Sequence, residues 1–184
     1  MSIFSKLRAF CFRSQPKSPA DRVLSEIFER HTPRRIVELG VGSGQRALRM
    51  IELAKKASPG AEIAYIGMDL FEGRSEADGP GLSLKEAHQQ FRGSGAKAQL
   101  VPGNPCDSLV RMANALGKVD LLIIPAELES PEHARAWFYV PRVLHERTVV
   151  LVEYLSEEGQ PALRLKSQSE IAELARVATV RRAA

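Results

Sequence analysis

The 184-residue sequence has little of what marks several specialised protein classes. Its only two cysteines, Cys11 and Cys106, lie far apart and form neither a metal site by themselves nor a disulfide framework, so they indicate a reducing, cytoplasmic environment. No run approaches the roughly 18–20 apolar residues of a membrane-spanning helix. The net charge of +4 is too small to indicate nucleic-acid binding without a concentrated basic patch. We therefore expect neither a membrane nor a nucleic acid as partner.

The composition that remains, 44% hydrophobic and 26% charged residues, is typical of a globular protein of about one domain. We divide the chain into an N-terminal segment, residues 1–17, and a single domain, residues 18–184. In the segment, apolar residues at helical spacing alternate with basic ones, which predicts an amphipathic helix packed on the domain or on the partner in a homodimer. A membrane-surface anchor is the alternative. The apolar residues are Ile3, Phe4, Leu7 and Phe10.

From residue 35 onward, apolar runs typical of buried strands alternate with amphipathic helical patterns. This alternation predicts an α/β fold, a doubly wound, mostly parallel sheet with helices on both faces. The predicted strands cover residues 35–39, 63–68, 98–101, 119–124 and 148–153, and the predicted helices cover 19–32, 45–56, 82–91, 108–116 and 132–144. Ligands of such sheets bind beyond the carboxyl ends of the strands, so the residues that follow each strand are the candidate site.

The C-terminal part is short. Pro161 to Leu165 predicts one further strand, the Ser167–Glu170 capping box predicts a helix start, and residues 177–181 predict a last strand. So few residues leave little to cover a ligand site at the strand ends, which favours an open site, a site completed by a second subunit, or none.

A glycine-rich turn follows the first predicted strand. Gly40, Gly42 and Gly44 come after Glu38 in the segment IVELGVGSG. Glycine adopts positive φ without a steric penalty and lets a ligand approach the backbone. The dinucleotide fingerprint would need glycine where Gln45 stands, and a carboxylate here would repel a pyrophosphate but attract a cationic amino-acid group. A tight turn without any ligand is the alternative.

The acid followed by G-x-G-x-G resembles the first motif of class I S-adenosylmethionine-dependent methyltransferases. The order of elements over residues 36–153, with VDLLII in the fourth strand, is most similar to the small O-methyltransferase-like branch. The resemblance implies a Rossmann-like fold and S-adenosylmethionine as cofactor. It implies a cofactor-binding set of Glu38, Gly40, Gly42, Gly44, Asp69, Leu70, Asn104 and Asp107.

The resemblance implies a specific role for three residues of that set. Asp69, at the end of the second strand, would accept the ribose hydroxyls, and Asn104 with Asp107 would lie at the adenine. The structural alternatives are that Asp69 caps the following loop and that Asn104 or Asp107 caps the next helix.

The end of the fourth strand departs from the family. Pro125 stands where relatives carry an acid, no histidine directly follows Glu127, and Glu153 occupies a position where relatives often have histidine. Glu127 and Glu153 remain the candidates for a base or a metal pair, with solvated strand-end carboxylates as the alternative. Since no complete ligand set is present, we expect no metal.

Two functions are therefore consistent with the sequence. One is a metal-independent S-adenosylmethionine-dependent methyltransferase acting on a small-molecule acceptor. The other is a catalytically inactive protein of the same fold that binds S-adenosylmethionine or a partner without chemistry. Methyl transfer from a sulfonium is an in-line displacement that alignment and desolvation can accelerate, so the missing acids do not remove methylation as such.

Overall fold

The computed structural model describes residues 18–183. It contains a six-stranded sheet in the order β3-β2-β1-β4-β5-β6. The strands are β1 (Arg35–Leu39), β2 (Ala64–Asp69), β3 (Lys97–Pro102), β4 (Val119–Ile124), β5 (Leu144–Leu155) and β6 (Pro161–Leu165). The helices are α1 (Pro19–His31), α2 (Gln45–Ala57), α3 (Leu84–Arg92), α4 (Pro105–Met112), α5 (Ala134–Trp137), α6 (Val140–Val143) and α7 (Gln168–Ala183).

The first five strands run parallel, and β6 pairs antiparallel with β5. This confirms the predicted doubly wound, mostly parallel sheet. The strand β1 lies between β2 and β4. The chain adds β2 and β3 on one side of β1, then crosses over and adds β4, β5 and β6 on the other side. That reversal creates a crevice beyond the carboxyl end of β1, where open α/β sheets bind ligands.

The hydrophobic core has two parts, one on each face of the sheet. Alternation along β1 sends Ile36 to one face and Val37 with Leu39 to the other, as the two-residue period of a strand requires. Helices α1, α2 and α3 cover the Ile36 face, and α4 to α7 cover the opposite face. Trp137, buried among the latter, donates from Nε1 to the carbonyl of Leu128 at 2.9 Å, which holds the chain that follows β4.

Several helix ends follow the sequence signals. Ser18 caps α1 in a reciprocal capping box with Asp21, and α1 ends before Pro33 as predicted. The capping box of Ser167 and Glu170 starts α7. The predicted start of α4 at residue 108 is wrong, because Asn104 and Pro105 already provide an N-cap and a suitable first residue.

Two other predictions need correction. The single helix predicted over residues 132–144 is interrupted: a 3₁₀ turn precedes α5, and Pro141, which has no N–H to donate, lies in the first turn of the separate helix α6. The strand predicted over residues 177–181 is wrong, because α7 continues through it. Ile171 and Ala178 bury one side of α7, while Val177 and Val180 are exposed, so helical burial outweighs the β propensity of valine.

The predicted amphipathic helix of residues 1–17 lies outside the described residues. Within residues 18–183, no helix is both long enough and apolar enough to cross a membrane.

Candidate functional site

The glycine-rich turn joins β1 to α2 at the crevice. Gly40, Gly42 and Gly44 have φ of 84°, 58° and 73°, so all three occupy the left-handed region that favours glycine. The amide of Gly40 donates to the carbonyl of Met68 at 2.8 Å and ties the turn to the end of β2. The structure therefore places these three predicted residues together beside the second strand.

Asp69 ends β2 with a side chain that is almost entirely buried, 2% exposed. Its Oδ2 accepts from the amide of Gly42 at 2.8 Å, and its Oδ1 accepts from the amide of Phe71 at 3.1 Å. Arg74 adds Nη2 to Oδ2 at 2.7 Å and Nε to Oδ1 at 3.1 Å. Since a carboxylate offers about four lone-pair sites, the protein's own donors satisfy this one.

The pKa of Asp69 reflects these contacts. Burial by itself raises the pKa, but the guanidinium of Arg74 and the amides of Gly42 and Phe71 outweigh burial and hold the pKa below its ordinary value. Asp69 is therefore ionised at neutral pH.

Glu38 lies on β1 with no exposed surface. Its Oε1 accepts from Nε of Arg46 at 2.5 Å, and its other oxygen accepts from the hydroxyl of Tyr65. Burial raises the pKa of Glu38, although Arg46 and Tyr65 act in the opposite direction. A ligand therefore cannot touch Glu38 in this arrangement. The predicted contact requires either that Arg46 lies between Glu38 and the ligand or that these side chains rearrange.

Arg46 connects three parts of the crevice. Besides Glu38, its guanidinium binds the carboxylate of Glu153 on β5 and donates from Nη2 to the carbonyl of Gly40 at 3.0 Å. Its side chain keeps 22% exposure. A cation in the first turn of a helix is unfavourable next to the positive end of the helix dipole, and the two carboxylates compensate for this.

Asn104 adopts the structural alternative and caps the helix α4. The Oδ1 of Asn104 accepts from the amides of Cys106 at 2.9 Å and Asp107 at 3.2 Å, so Asn104 is the N-cap of α4. Asp107 is exposed in the first turn of that helix. Leu70 directly follows Asp69 and is partly buried, which leaves it at the edge of the crevice.

The two catalytic candidates are placed differently. Glu153 is bound to Arg46, whereas Glu127 is exposed on the 3₁₀ turn Ala126–Glu129 after β4. Neighbouring Glu129 is bound by Arg164 at 2.5 Å and Lys166 at 2.6 Å. No group of three or more histidine, cysteine, aspartate or glutamate side chains within residues 18–183 is arranged to hold a metal ion.

The chain between β2 and α3, residues 70–83, passes the glycine-rich turn, and we call this segment the strap. The amide of Leu82 donates to the carbonyl of Gly42 at 3.0 Å. Beyond the strap, Nε2 of Gln90 donates to the carbonyl of Ser43 at 3.2 Å. The strap thus covers the turn from the β2 side.

The sequence pattern did not single out Arg46 or Arg74. One signal was available for Arg46, because a basic residue in the first turn of a helix requires nearby acids. Nothing local distinguishes Arg74 from any other arginine in a polar loop, since its partner is defined by the path of the strap.

A separate open cavity of about 820 Å³ lies at the opposite edge, near the start of β4 and β5. Lys118, His145 and Gln168 are among its lining residues, and none of the predicted site residues lines it. The candidate site is therefore the crevice at the carboxyl ends, where the glycines and acids meet.

The sequence matches no protein-family model and no curated protein. Its fold is similar to an O-methyltransferase from Bacillus cereus in complex with SAH, at 15% identity and a TM-score of 0.54 over 98% of this chain and 77% of that one. It is also similar to the O-methyltransferase TomG from Streptomyces achromogenes in complex with SAM, at 14% identity and 0.55 over 94% and 72%.

A third similar structure is precorrin 8w decarboxylase from Methanobacterium thermoautotrophicum, at 15% identity and a TM-score of 0.51 over 89% of this chain and 74% of that one. The chain therefore has the Rossmann-like fold of class I methyltransferases. A shared fold leaves the reaction open.

Proposed function

We propose that this chain is an S-adenosylmethionine-dependent methyltransferase that acts without a metal on a small-molecule acceptor. The observation that carries the proposal is the hydrogen bond from the Gly42 amide to Oδ2 of Asp69. This bond holds the glycine-rich turn against Asp69 at the end of β2, so that both line the same side of the crevice. Two proteins of similar fold have SAM or SAH bound.

The residues of the crevice suit the ribose and the adenine of the cofactor. Asp69 would hold the ribose hydroxyls, with Leu70 and the segment around Asn104 and Asp107 beside the adenine. The turn from Gly40 to Gly44 would allow close approach to the backbone. Bound there, S-adenosylmethionine supplies an electrophilic methyl group on a sulfonium.

The charges of the crevice favour such a cation. Glu38 and Glu153 both contact the single guanidinium of Arg46, so two carboxylates and one cation leave one formal negative charge. A sulfonium and an ammonium are attracted to this excess. Arg46 also limits direct contact with Glu38, so we assign Glu38 the role of fixing Arg46 and the turn.

The chain's contribution to the reaction is alignment and exclusion of water. Glu153 is held by Arg46 and Glu127 is exposed, so neither is prepared as a buried base. We therefore propose an acceptor whose nucleophile needs little deprotonation. A cytoplasmic location and a homodimer are part of this proposal.

Calorimetric titration with S-adenosylmethionine and with S-adenosylhomocysteine tests the cofactor. We expect both to bind, and Asp69→Ala to weaken binding by about 1–3 kcal/mol through the loss of charge-assisted hydrogen bonds. Asp120→Asn is the control, because Asp120 accepts backbone N–H groups of Arg34 and Arg35 at the opposite edge of the sheet. Because Arg74 binds the same carboxylate, the deciding comparison is made without it: equal affinities of Arg74→Ala and of the double variant Asp69→Ala/Arg74→Ala would remove Asp69 from the site.

One observation favours the second function, binding without chemistry. Pro125, and not an acid, stands at the end of β4, and Glu153 is already paired with Arg46. Turnover of S-adenosylmethionine by a panel of small hydroxyl, thiol and amine acceptors, with and without a chelator, separates the two. Turnover that a chelator leaves unchanged supports the enzyme, whereas tight cofactor binding with no product from any acceptor supports the binding protein.

A further inference from the structure

We infer that Arg74 occupies the ribose subsite at Asp69, and that the strap must release Asp69 before an adenosine can bind. The inference rests on the proposed function, because it concerns the same carboxylate. It assigns a gating role to a residue outside the predicted cofactor-binding set.

The first argument is competition for the same acceptors. Arg74 approaches Asp69 with two donors, Nη2 to Oδ2 and Nε to Oδ1. A ribose diol would likewise present two donors to the two oxygens of one carboxylate. Because the amides of Gly42 and Phe71 fill the remaining positions, the diol and Arg74 cannot both be fully bonded to Asp69.

The second argument is that the strap holds Arg74 in place. Nη1 of Arg74 donates to the carbonyl of Asp78 at 2.8 Å. A Cβ at Gly81 would lie 2.3 Å from Nε of Arg74, so the side chain lies directly against the backbone of Gly81. The amide of Leu82 then fixes the end of the strap on Gly42.

The third argument is that opening the middle of the strap, residues 75–81, costs little burial, because these residues are exposed. The strap is held on the core at its two ends, where Phe71 is buried and Leu82 is partly buried. Phe71 also has φ of 48°, a left-handed conformation that is strained for a bulky residue. A weakly buried segment with a strained first turn can separate from the glycine-rich turn while β2 stays intact.

The affinity consequence follows from population shift. When only a fraction of the molecules is open, the apparent Kd equals the intrinsic Kd divided by that fraction. Removing the guanidinium raises the open fraction, so the affinity for an adenosine ligand increases although a side chain has been lost. A residue that contacts the ligand would show the opposite sign.

Calorimetric titration of the full chain with S-adenosylhomocysteine tests whether the loss of Arg74 raises or lowers the affinity. We expect Arg74→Ala to bind about tenfold more tightly than the wild type if roughly one molecule in ten is open, with Arg74→Lys between them because lysine keeps the charge but not the paired donors. The control is Arg92→Ala at the exposed end of α3, which should bind as the wild type does.

Amide hydrogen exchange without ligand gives an independent measurement. The amide of Leu82 should exchange faster in Arg74→Ala than in the wild type, while amides within β4 keep their protection. Unchanged exchange at Leu82 contradicts the inference whatever the affinities. If the wild type binds S-adenosylhomocysteine and Arg74→Ala binds it equally or more weakly, the gating role of Arg74 is overturned but the proposed function stands. If neither protein binds it, the gating role and the proposed function are both overturned.

Discussion

The hydroxyl of Tyr65 on β2 donates to the carboxylate of Glu38 on β1, and neither side chain has any exposed surface. The contact lies on the sheet face that α1, α2 and α3 cover. A buried carboxylate is costly unless donors surround it. Tyr65 and Arg46 supply those donors, so the position of Arg46 at the crevice depends on a contact inside the core.

Tyr65→Phe removes one of these donors. We expect it to lower the free energy of unfolding by about 1–3 kcal/mol at pH 7.5, because a buried acceptor loses its partner. Tyr154→Phe is the matched control, since Tyr154 is exposed. Urea unfolding of both variants measures the difference.

The loss in Tyr65→Phe should depend on pH. Burial raises the folded pKa of Glu38, and Tyr65 opposes that rise; removing Tyr65 raises the folded pKa further. A carboxyl whose folded pKa is raised reduces stability as pH rises from its unfolded value of about 4.3 to its folded pKa. The destabilisation should therefore be smaller at pH 4.5 than at pH 7.5, and an equal loss at both would contradict this account of Glu38.

Cys106 should be unreactive in the folded protein. Burial, with further contributions from Asp107 and Glu127, raises the pKa of its thiol to about 11. At pH 8 a thiol of that pKa is on the order of one part in a thousand thiolate, against about a quarter for an unperturbed cysteine. We expect iodoacetamide to alkylate Cys106 about two orders of magnitude more slowly in the native protein than in urea.

The measurement is peptide mapping of a Cys11→Ser variant, which leaves Cys106 as its only cysteine. The urea-unfolded sample of the same variant is the control. Native and unfolded alkylation rates within threefold of each other would show that the thiol is accessible and ionised, contrary to the structure.

The sequence predicted the sheet and the crevice because both depend on local patterns. Buried strands appear as apolar runs, and the turn after β1 needs glycine at its left-handed positions. Asp69 was predictable for the same reason, since the residue after a strand lies at the carboxyl edge. For Asn104 the sequence left two alternatives, an adenine contact or a helix cap, and in the structure its side chain caps α4.

The internal partners of the acids could not be predicted in the same way. Arg74 reaches Asp69 only because the strap turns back over the crevice, and Tyr65 reaches Glu38 only because β2 pairs with β1 in a particular register. These contacts are tertiary, and they decide whether a carboxylate is available to a ligand. The error over residues 177–181 has a similar cause, since valines typical of a strand lie on a helix whose opposite face is buried.

Gly67 on β2 lies against one residue of the glycine-rich turn and one residue of the core. A Cβ at Gly67 would lie 2.7 Å from Cγ2 of Val41 in the glycine-rich turn and 2.9 Å from the hydroxyl of Tyr65. Val41 and Tyr65 are both buried, so neither side chain can move without disturbing its neighbours. We expect Gly67→Ala to destabilise the protein by about 1–3 kcal/mol, the usual effect of overpacking a core.

Gly93→Ala is the control, because Gly93 ends α3 with φ of −88° and an added Cβ would have nothing within 4 Å. It should be neutral or slightly stabilising, since alanine reduces the freedom of the unfolded chain. Because Gly67→Ala displaces the Tyr65 hydroxyl, its cost and that of Tyr65→Phe should overlap, so the double variant loses less than the sum of the single losses. Additive losses in urea unfolding would mean that the new methyl group acts through Val41 alone, and the contact between Tyr65 and Glu38 would then be independent of the turn.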